Sequence, residues 1–151
     1  MKRYLRFAVM ILTSTFVMFA LMYANTYAPD HVMFSETRAY MAILMGAAMG
    51  VVMLGFMRNM YSDRRMNLSI LIGCIVLAGL CLWLVRSQAT IGQVSYMKAM
   101  IPHHSIAIMT SERAHITDPR VRKLADGIIK TQREEIAEMK SLIADLENSP
   151  R

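Results

Sequence analysis

A run of eight residues, Met97 to His104, contains the side chains of this sequence that are best suited to chemistry. Helical spacing would place Met97, Met100 and His104 on one face, at i, i+3 and i+7. His103 falls at the edge of that face. Thioether sulfur and imidazole nitrogen are ligands that suit Cu(I) and, by the same softness, Ag(I). Because neither ligand carries a charge, a monovalent soft cation is the expected guest.

A second helix is predicted to bring further donors to the same level. Asp118 and Pro119 form a strong helix start, with Asp as the N-cap and Pro as the first helical residue. Two antiparallel helices, at about 90–116 and 119–147, are therefore expected around a turn at residues 117–118. Positions equally far from that turn then face each other. The predicted pairs are Met97 with Met139, Met100 with Glu135 and Ile136, and His104 with Thr131 and Gln132.

Two other interpretations of the hairpin compete with a soft-metal site. Its methionines would serve equally well as flexible core filler, with the histidines at the surface of a bundle. Glu112 and His115 have the Glu-x-x-His spacing of di-iron bundles. They lie beside the turn, however, roughly 16 Å along the helix from the level of Glu135, so one hairpin cannot join them in one centre. No enzyme is predicted, and His115 is better explained as a cation favoured by the dipole at a helix C-terminus.

The chain that positions these helices has 151 residues, of which 55% are apolar, and a formal net charge of +6. The apolar residues concentrate in three runs, at about 7–27, 39–57 and 68–86, each near the ~20 residues that cross a bilayer. The excess positive charge lies beside these runs, so a nucleic-acid groove is not expected. The predicted domains are a three-span membrane domain, 1–87, and an extracytoplasmic helical hairpin, 88–151.

Flanking charges predict the orientation of the spans. Lys2, Arg3 and Arg6 precede the first span, and three arginines lie between residues 58 and 65. The positive-inside rule places both segments in the cytoplasm and the hairpin outside. The alternative is that the first span is a cleaved signal peptide ending near Ala28, which also leaves the hairpin outside.

The membrane domain holds its own methionine row, which packing explains better than ion passage. These methionines recur every four residues along the second span, at Met41, Met45, Met49, Met53 and Met57. Each step of four moves the row ~40° around the helix, so the sulfurs do not line one path. A row of small residues in the same span, Ala42, Gly46 and Gly50, favours close helix packing and suggests dimerisation through this face.

Two smaller groups of metal-binding residue types have simple structural interpretations. Cys74 and Cys81 are expected to be small packing residues, because about 10 Å separates positions i and i+7 of a helix and rules out a disulfide. Asp30, His31 and Met33 lie between the first two spans, on the side of the hairpin. A solvated loop is the expected state of these three residues, with an auxiliary soft-metal site as the alternative.

Both helices of the hairpin carry residue patterns that resemble the bacterial family known as domain of unknown function 305. The patterns are Met100-Ile101-Pro102-His103-His104 with Ala107 and Met109, Asp118-Pro119 with Val121-Arg122, and Ala125, Ile128, Ile129, Gln132, Glu135-Ile136 and Met139. The resemblance covers roughly residues 92–146. It implies a ferritin-like helical bundle, binding of copper or silver in the bacterial periplasm, and a role in metal tolerance. The ligands it implies are Met97, Met100, His103, His104 and Met139, and more weakly Glu135.

The sequence as a whole predicts an all-α protein of the bacterial inner membrane that binds Cu(I) or Ag(I) for sequestration, tolerance or hand-over. Its hairpin is too small to be secure alone and is expected to be completed to four helices by dimerisation or, alternatively, to lie against the membrane spans. The other expected partners are the bilayer and a periplasmic copper-handling protein. The alternatives are a metal-free membrane adaptor whose hairpin docks a partner, and a component of a copper transporter.

Overall fold

The computed structural model describes residues 2–148, which form five α-helices and no strand. The helices are α1 (Lys2–Leu21), α2 (Glu36–Phe56), α3 (Arg64–Ser87), α4 (Gln93–Arg113) and α5 (Pro119–Asn148). Short 3-10 turns lie at Pro29–His31 and Arg58–Met60. The prediction of an all-α chain is confirmed, and α1, α2 and α3 are each long and apolar enough to cross a membrane.

The chain divides into two compact units. The first, here called the membrane unit, contains the residues up to Met22 together with Thr37–Thr90. The second, here called the hairpin unit, contains Tyr23–Glu36 together with the residues from Ile91 onward. This division differs from the predicted boundary at residue 87, because the segment between α1 and α2 packs with the hairpin.

Small residues allow the helices of the membrane unit to approach closely. A Cβ atom added to Gly46 would collide with the side chain of Thr15 in α1, and one added to Gly50 would lie 3.0 Å from the Sγ of Cys74 in α3. Ala42, Gly46 and Gly50 are all buried. The row of small residues thus packs against α1 and α3 within the chain, and dimerisation through this face stays a prediction. The four methionines of α2, and Met57 directly after it, are half-buried.

The hairpin unit is built on α4 and α5, which run antiparallel. Asp118 caps α5, since its Oδ1 accepts the backbone N–H of Arg120 at 2.8 Å, and Pro119 is the first helical residue as predicted. Between the helices lies an apolar core of Met97, Ile101, Ile108, Ile136 and Ile143. Two helices alone cover such a core from two sides only, so a third element is needed.

Residues 23–36, here called the strap, supply that third element on one side of the hairpin. Met33 packs against the core, and Ser35 is buried. The expectation of a solvated loop is therefore wrong for His31 and Met33, whereas Asp30 is exposed. A core between only two helices leaves apolar surface exposed to water. Covering that surface with a neighbouring segment stabilises the folded chain. Asp30 pairs with Lys140 at 2.6 Å and His31 contacts Ser105, so these two residues and Met33 are engaged in three different contacts.

Candidate metal-binding groove

A groove of about 520 Å³ runs between α4 and α5 and brings together most of the predicted ligands. It is lined by Gln93, Tyr96, Met97, Met100, His104, Glu135, Glu138, Met139, Leu142 and Leu146. Five of the six residues singled out from the sequence are in this set. The convergence requires both helices, because neither of them alone carries more than three of the five.

The imidazole of His104 is fixed in one orientation by contacts at both nitrogens. Its Nδ1 lies 2.9 Å from the carbonyl oxygen of Met100, and its Nε2 lies 2.8 Å from Oε2 of Glu135. A carbonyl oxygen can only accept, so Nδ1 carries a proton and donates it to Met100. A metal-ligating histidine typically holds its second nitrogen in this way. Nε2 is the remaining nitrogen, and a metal ion bound to it would have to displace the carboxylate of Glu135.

Glu135 contributes a carboxylate beside that nitrogen. The Nε2 of Gln132 donates a hydrogen bond to the same Oε2 at 3.2 Å, so the carboxylate is oriented from its own helix as well. A carboxylate is a hard ligand and suits Cu(I) less well than thioether or imidazole does. Its negative charge nevertheless compensates a cation held by uncharged donors. Glu135 is better placed to orient His104 and balance charge than to act as the principal ligand.

The three thioethers differ in burial. Met97 is 7% exposed and belongs both to the groove and to the apolar core, so packing accounts for part of its environment. Met100 and Met139 are half-buried on the two walls of the groove. Met139 also packs against the core. The structural interpretation of methionine as filler thus applies most strongly to Met97 and least to Met100.

The contacts across the hairpin are shifted from the predicted register. His104 pairs with Glu135, whereas the sequence placed Thr131 and Gln132 opposite it. Glu112 pairs with Arg133, about ten positions beyond the residue that the predicted register places opposite it, so the displacement has the same direction and is larger. Side chains of a helix lean toward its N-terminus, so those of two antiparallel helices lean in opposite directions. The predicted pairing compared Cα heights and placed the partner of His104 about one helical turn too close to the loop.

His103 lies apart from the other predicted ligands. Its side chain is exposed, it does not line the groove, and its ring centroid lies 6.0 Å from that of His104. Five lining residues were missed from the sequence: Gln93, Tyr96, Glu138, Leu142 and Leu146. Two of them had a detectable signal, because Tyr96 precedes Met100 by one turn and Glu138 follows Glu135 by three residues.

The Glu-x-x-His spacing near the turn does not form a second centre with Glu135. Glu112 pairs with Arg133, and His115 is exposed between the two helices. Within residues 2–148, no three His, Cys, Asp or Glu side chains are grouped so that they could hold a metal ion. Any metal bound in the groove would therefore depend on the thioethers.

Comparison with known proteins places this chain in a family without an assigned function. Residues 93–151 match the domain of unknown function DUF305. An uncharacterized protein of Acanthamoeba polyphaga mimivirus is 36% identical over 106 residues, which cover 69% of this chain and 68% of the viral protein. That match is longer than the domain and so extends into the residues before it. No solved structure matches the chain. The chain belongs to the DUF305 family.

Proposed function

We propose that this protein is anchored in the bacterial inner membrane and binds Cu(I) or Ag(I) in the groove of its periplasmic hairpin. The metal ion is cargo, held for sequestration, for tolerance or for hand-over to a periplasmic copper-handling protein. The ligands would be the sulfurs of Met97, Met100 and Met139 together with Nε2 of His104. Glu135 would supply the compensating negative charge.

One observation carries the proposal: three thioethers and an oriented imidazole meet in a single groove. Soft uncharged donors favour Cu(I) and Ag(I) over Mg²⁺ or Ca²⁺, which require several oxygen ligands. Zn²⁺ prefers thiolate, imidazole and carboxylate ligands and rarely uses thioethers. The donor set therefore favours a soft monovalent ion. The half-buried position of Met100 and Met139 lets an ion enter from solvent.

The proposed location follows from charge and hydropathy. Three helices are long and apolar enough to span a membrane. Basic residues precede α1 and lie between α2 and α3, and the positive-inside rule puts those two segments in the cytoplasm. An odd number of spans then puts the hairpin on the opposite side. A periplasmic domain is where copper and silver entering the cell would first be met.

The test is a Cu(I) titration of the full chain in detergent micelles, against a competing Cu(I) chelator under anaerobic conditions. The variant Met100→Leu/His104→Ala removes two of the four proposed ligands. We expect its affinity to fall by at least a hundredfold, which is about 2.7 kcal/mol. Leucine keeps the volume of methionine, so the helix packing is expected to survive.

A matched control uses the same residue types on the same helix. Met109→Leu/His103→Ala changes a methionine and a histidine of α4 that do not line the groove. Its Cu(I) affinity is expected to stay within threefold of the unchanged protein. Equal losses in both variants would reject the groove as the site. Absence of tight binding in the unchanged protein would reject the function and favour the metal-free adaptor.

A further inference from the structure

An exposed apolar stripe runs along α5 beside the face that packs on α4. The packed face contains Ala125, Ile136 and Ile143, which are buried. The exposed stripe contains Val121, Leu124, Ile128, Leu142 and Leu146. Leu124 is 66% exposed and Val121 is 49% exposed. The apolar arc of α5 is thus wider than the hairpin and strap cover. It has an apolar part near each end of the helix, and exposed apolar surface of this kind marks an interaction site.

The charges of α5 are divided between its two ends. Residues 119–133 contain five Arg or Lys and one Asp, whereas residues 134–148 contain five Asp or Glu and one Lys. The helix dipole favours the reverse order, with acidic residues at the N-terminus and basic residues at the C-terminus. The first turn holds no acidic residue and the last turn no basic residue. Stability of the isolated helix therefore does not explain this division.

We propose that a second copy of this chain docks on the exposed stripe, with the two α5 helices antiparallel about a two-fold axis. That arrangement places the basic half of each helix against the acidic half of its partner, whereas a parallel pair would oppose like charges. It also buries the same stripe on both copies, as a closed two-fold interface requires. The two hairpins then form a four-helix bundle.

The axis of this pair would cross α5 near residues 131–132, which places Val121 opposite the partner's Leu142. The partner's Leu124 and Ile128 would then lie over the groove, close to Met139 and Glu135. This consequence rests on the proposed function, because it makes the dimer a cover that excludes water from the metal. The dimer itself needs no metal, so it can be tested in metal-free protein.

Cysteine cross-linking of the full chain in detergent tests the antiparallel geometry. In a Cys74→Ala/Cys81→Ala background, Thr131→Cys lies at the axis and is expected to cross-link to its own counterpart with a short bis-maleimide. Val121→Cys is the matched control, since its two copies would be about 30 Å apart at 1.5 Å per residue. Mixing Val121→Cys with Leu142→Cys is expected to restore the cross-link.

The outcomes separate the possible arrangements. Self-cross-linking of both Thr131→Cys and Val121→Cys would mean a parallel pair and would overturn the proposal. No cross-link at residue 131, in protein whose helical circular dichroism is unchanged, would mean that something other than a second copy covers the stripe. It would overturn the proposal equally.

Charge reversal gives an independent test by light scattering in a metal-chelating buffer. Lys123→Glu and Glu138→Lys are each expected to raise the dimer dissociation constant about tenfold. The double variant is expected to recover most of the lost dimer affinity. No change in any of the three variants would overturn the proposal. Met100→Leu/His104→Ala is expected to dimerise normally, so loss of metal binding and loss of dimerisation can be told apart. Lys123→Glu, which does not line the groove, is expected to release Cu(I) faster.

Discussion

The two faces of the hairpin carry residues that are adjacent in the sequence but make different contacts. On one face, His104 and Met139 line an open groove. On the other face, the next residues along the chain, Ser105 and Lys140, hold the strap. Ser105 is fully buried, whereas the side chain of His104 is 14% exposed. On α4, two successive side chains thus differ in burial and in the element that they contact.

This difference shows which polar residues are available for a ligand. The hydroxyl of Ser105 accepts the backbone N–H of Tyr27 at 2.8 Å and contacts Nδ1 of His31 at 3.0 Å. These contacts satisfy a buried polar group, as folding requires. The Nδ1 of His104 is satisfied in the same way, whereas its Nε2 is paired in the groove with the carboxylate of Glu135, which a metal ion would displace. A change on the groove face should therefore affect metal binding, and a change on the strap face should affect folding.

The largest expected effect comes from the groove methionines. Met100→Leu/Met139→Leu should lower Cu(I) affinity by at least a hundredfold, because two of the proposed ligands lose their sulfur. The strap should stay docked, since leucine fills the same volume. Competition titration measures the first effect, and hydrogen exchange of the Tyr27 amide measures the second.

The methionines of α2 provide the control for residue type. Met45→Leu/Met49→Leu removes two sulfurs that are half-buried in the membrane unit. The Cu(I) affinity of the hairpin should stay within twofold of the unchanged protein. A hundredfold loss from the α2 pair would mean that the metal is held by the membrane unit, and the comparison between the hairpin faces would lose its functional meaning.

The sequence predicts the groove better than the strap, for a physical reason. Met97, Met100 and His104 fall on one face through helical periodicity, and Asp118 indicates the start of α5. Both signals are local in the sequence, so the groove can be predicted without knowing the tertiary contacts. The strap has no periodicity, and its docking depends on residues some 75 positions away in the chain. A polar residue at position 105, on the apolar side of α4, was the one available sign that something binds there.

The register across the groove was predictable only in part. Turn position fixes which turns of α4 and α5 lie side by side, and this prediction brought Met97, Met100 and Met139 to one groove. The partner of His104 depends also on the direction in which each side chain leans. Because of this lean, His104 pairs with Glu135 and not with the predicted Thr131 and Gln132. Helical spacing placed His103 at the edge of the site, but its exposed side chain lies outside the groove.

A smaller effect is expected on the strap face. Ser105→Ala leaves the N–H of Tyr27 and Nδ1 of His31 without their partner, which should cost about 1–3 kcal/mol of strap docking. Hydrogen exchange of the Tyr27 amide should become correspondingly faster, while Cu(I) affinity changes less than threefold. Ser141→Ala, an exposed serine of α5, is the matched control and should change neither. A large loss of Cu(I) affinity in Ser105→Ala would show that the two faces are coupled.

The smallest expected effect is a dependence of strap docking on pH. Burial lowers the pKa of His31, although Asp30 beside it acts in the opposite direction. The hydrogen bond from Lys140 lowers the pKa of Asp30. Each group therefore binds its proton more readily when the strap is released. Docking should weaken as the pH falls below 6.5, through His31, and again below 3.8, through Asp30.

Hydrogen exchange of strap amides at pH 7.5 and 5.5, corrected for the intrinsic exchange rate, would measure the first step. His31→Gln should remove the dependence in that range, because glutamine does not titrate, and should leave the step below 3.8 in place. Docking that strengthens on acidification would mean that His31 is held as a cation by Asp30. In that case an ion pair, rather than the burial of His31, would hold the strap on the hairpin. The strap face would then differ from the groove in charge and not in burial.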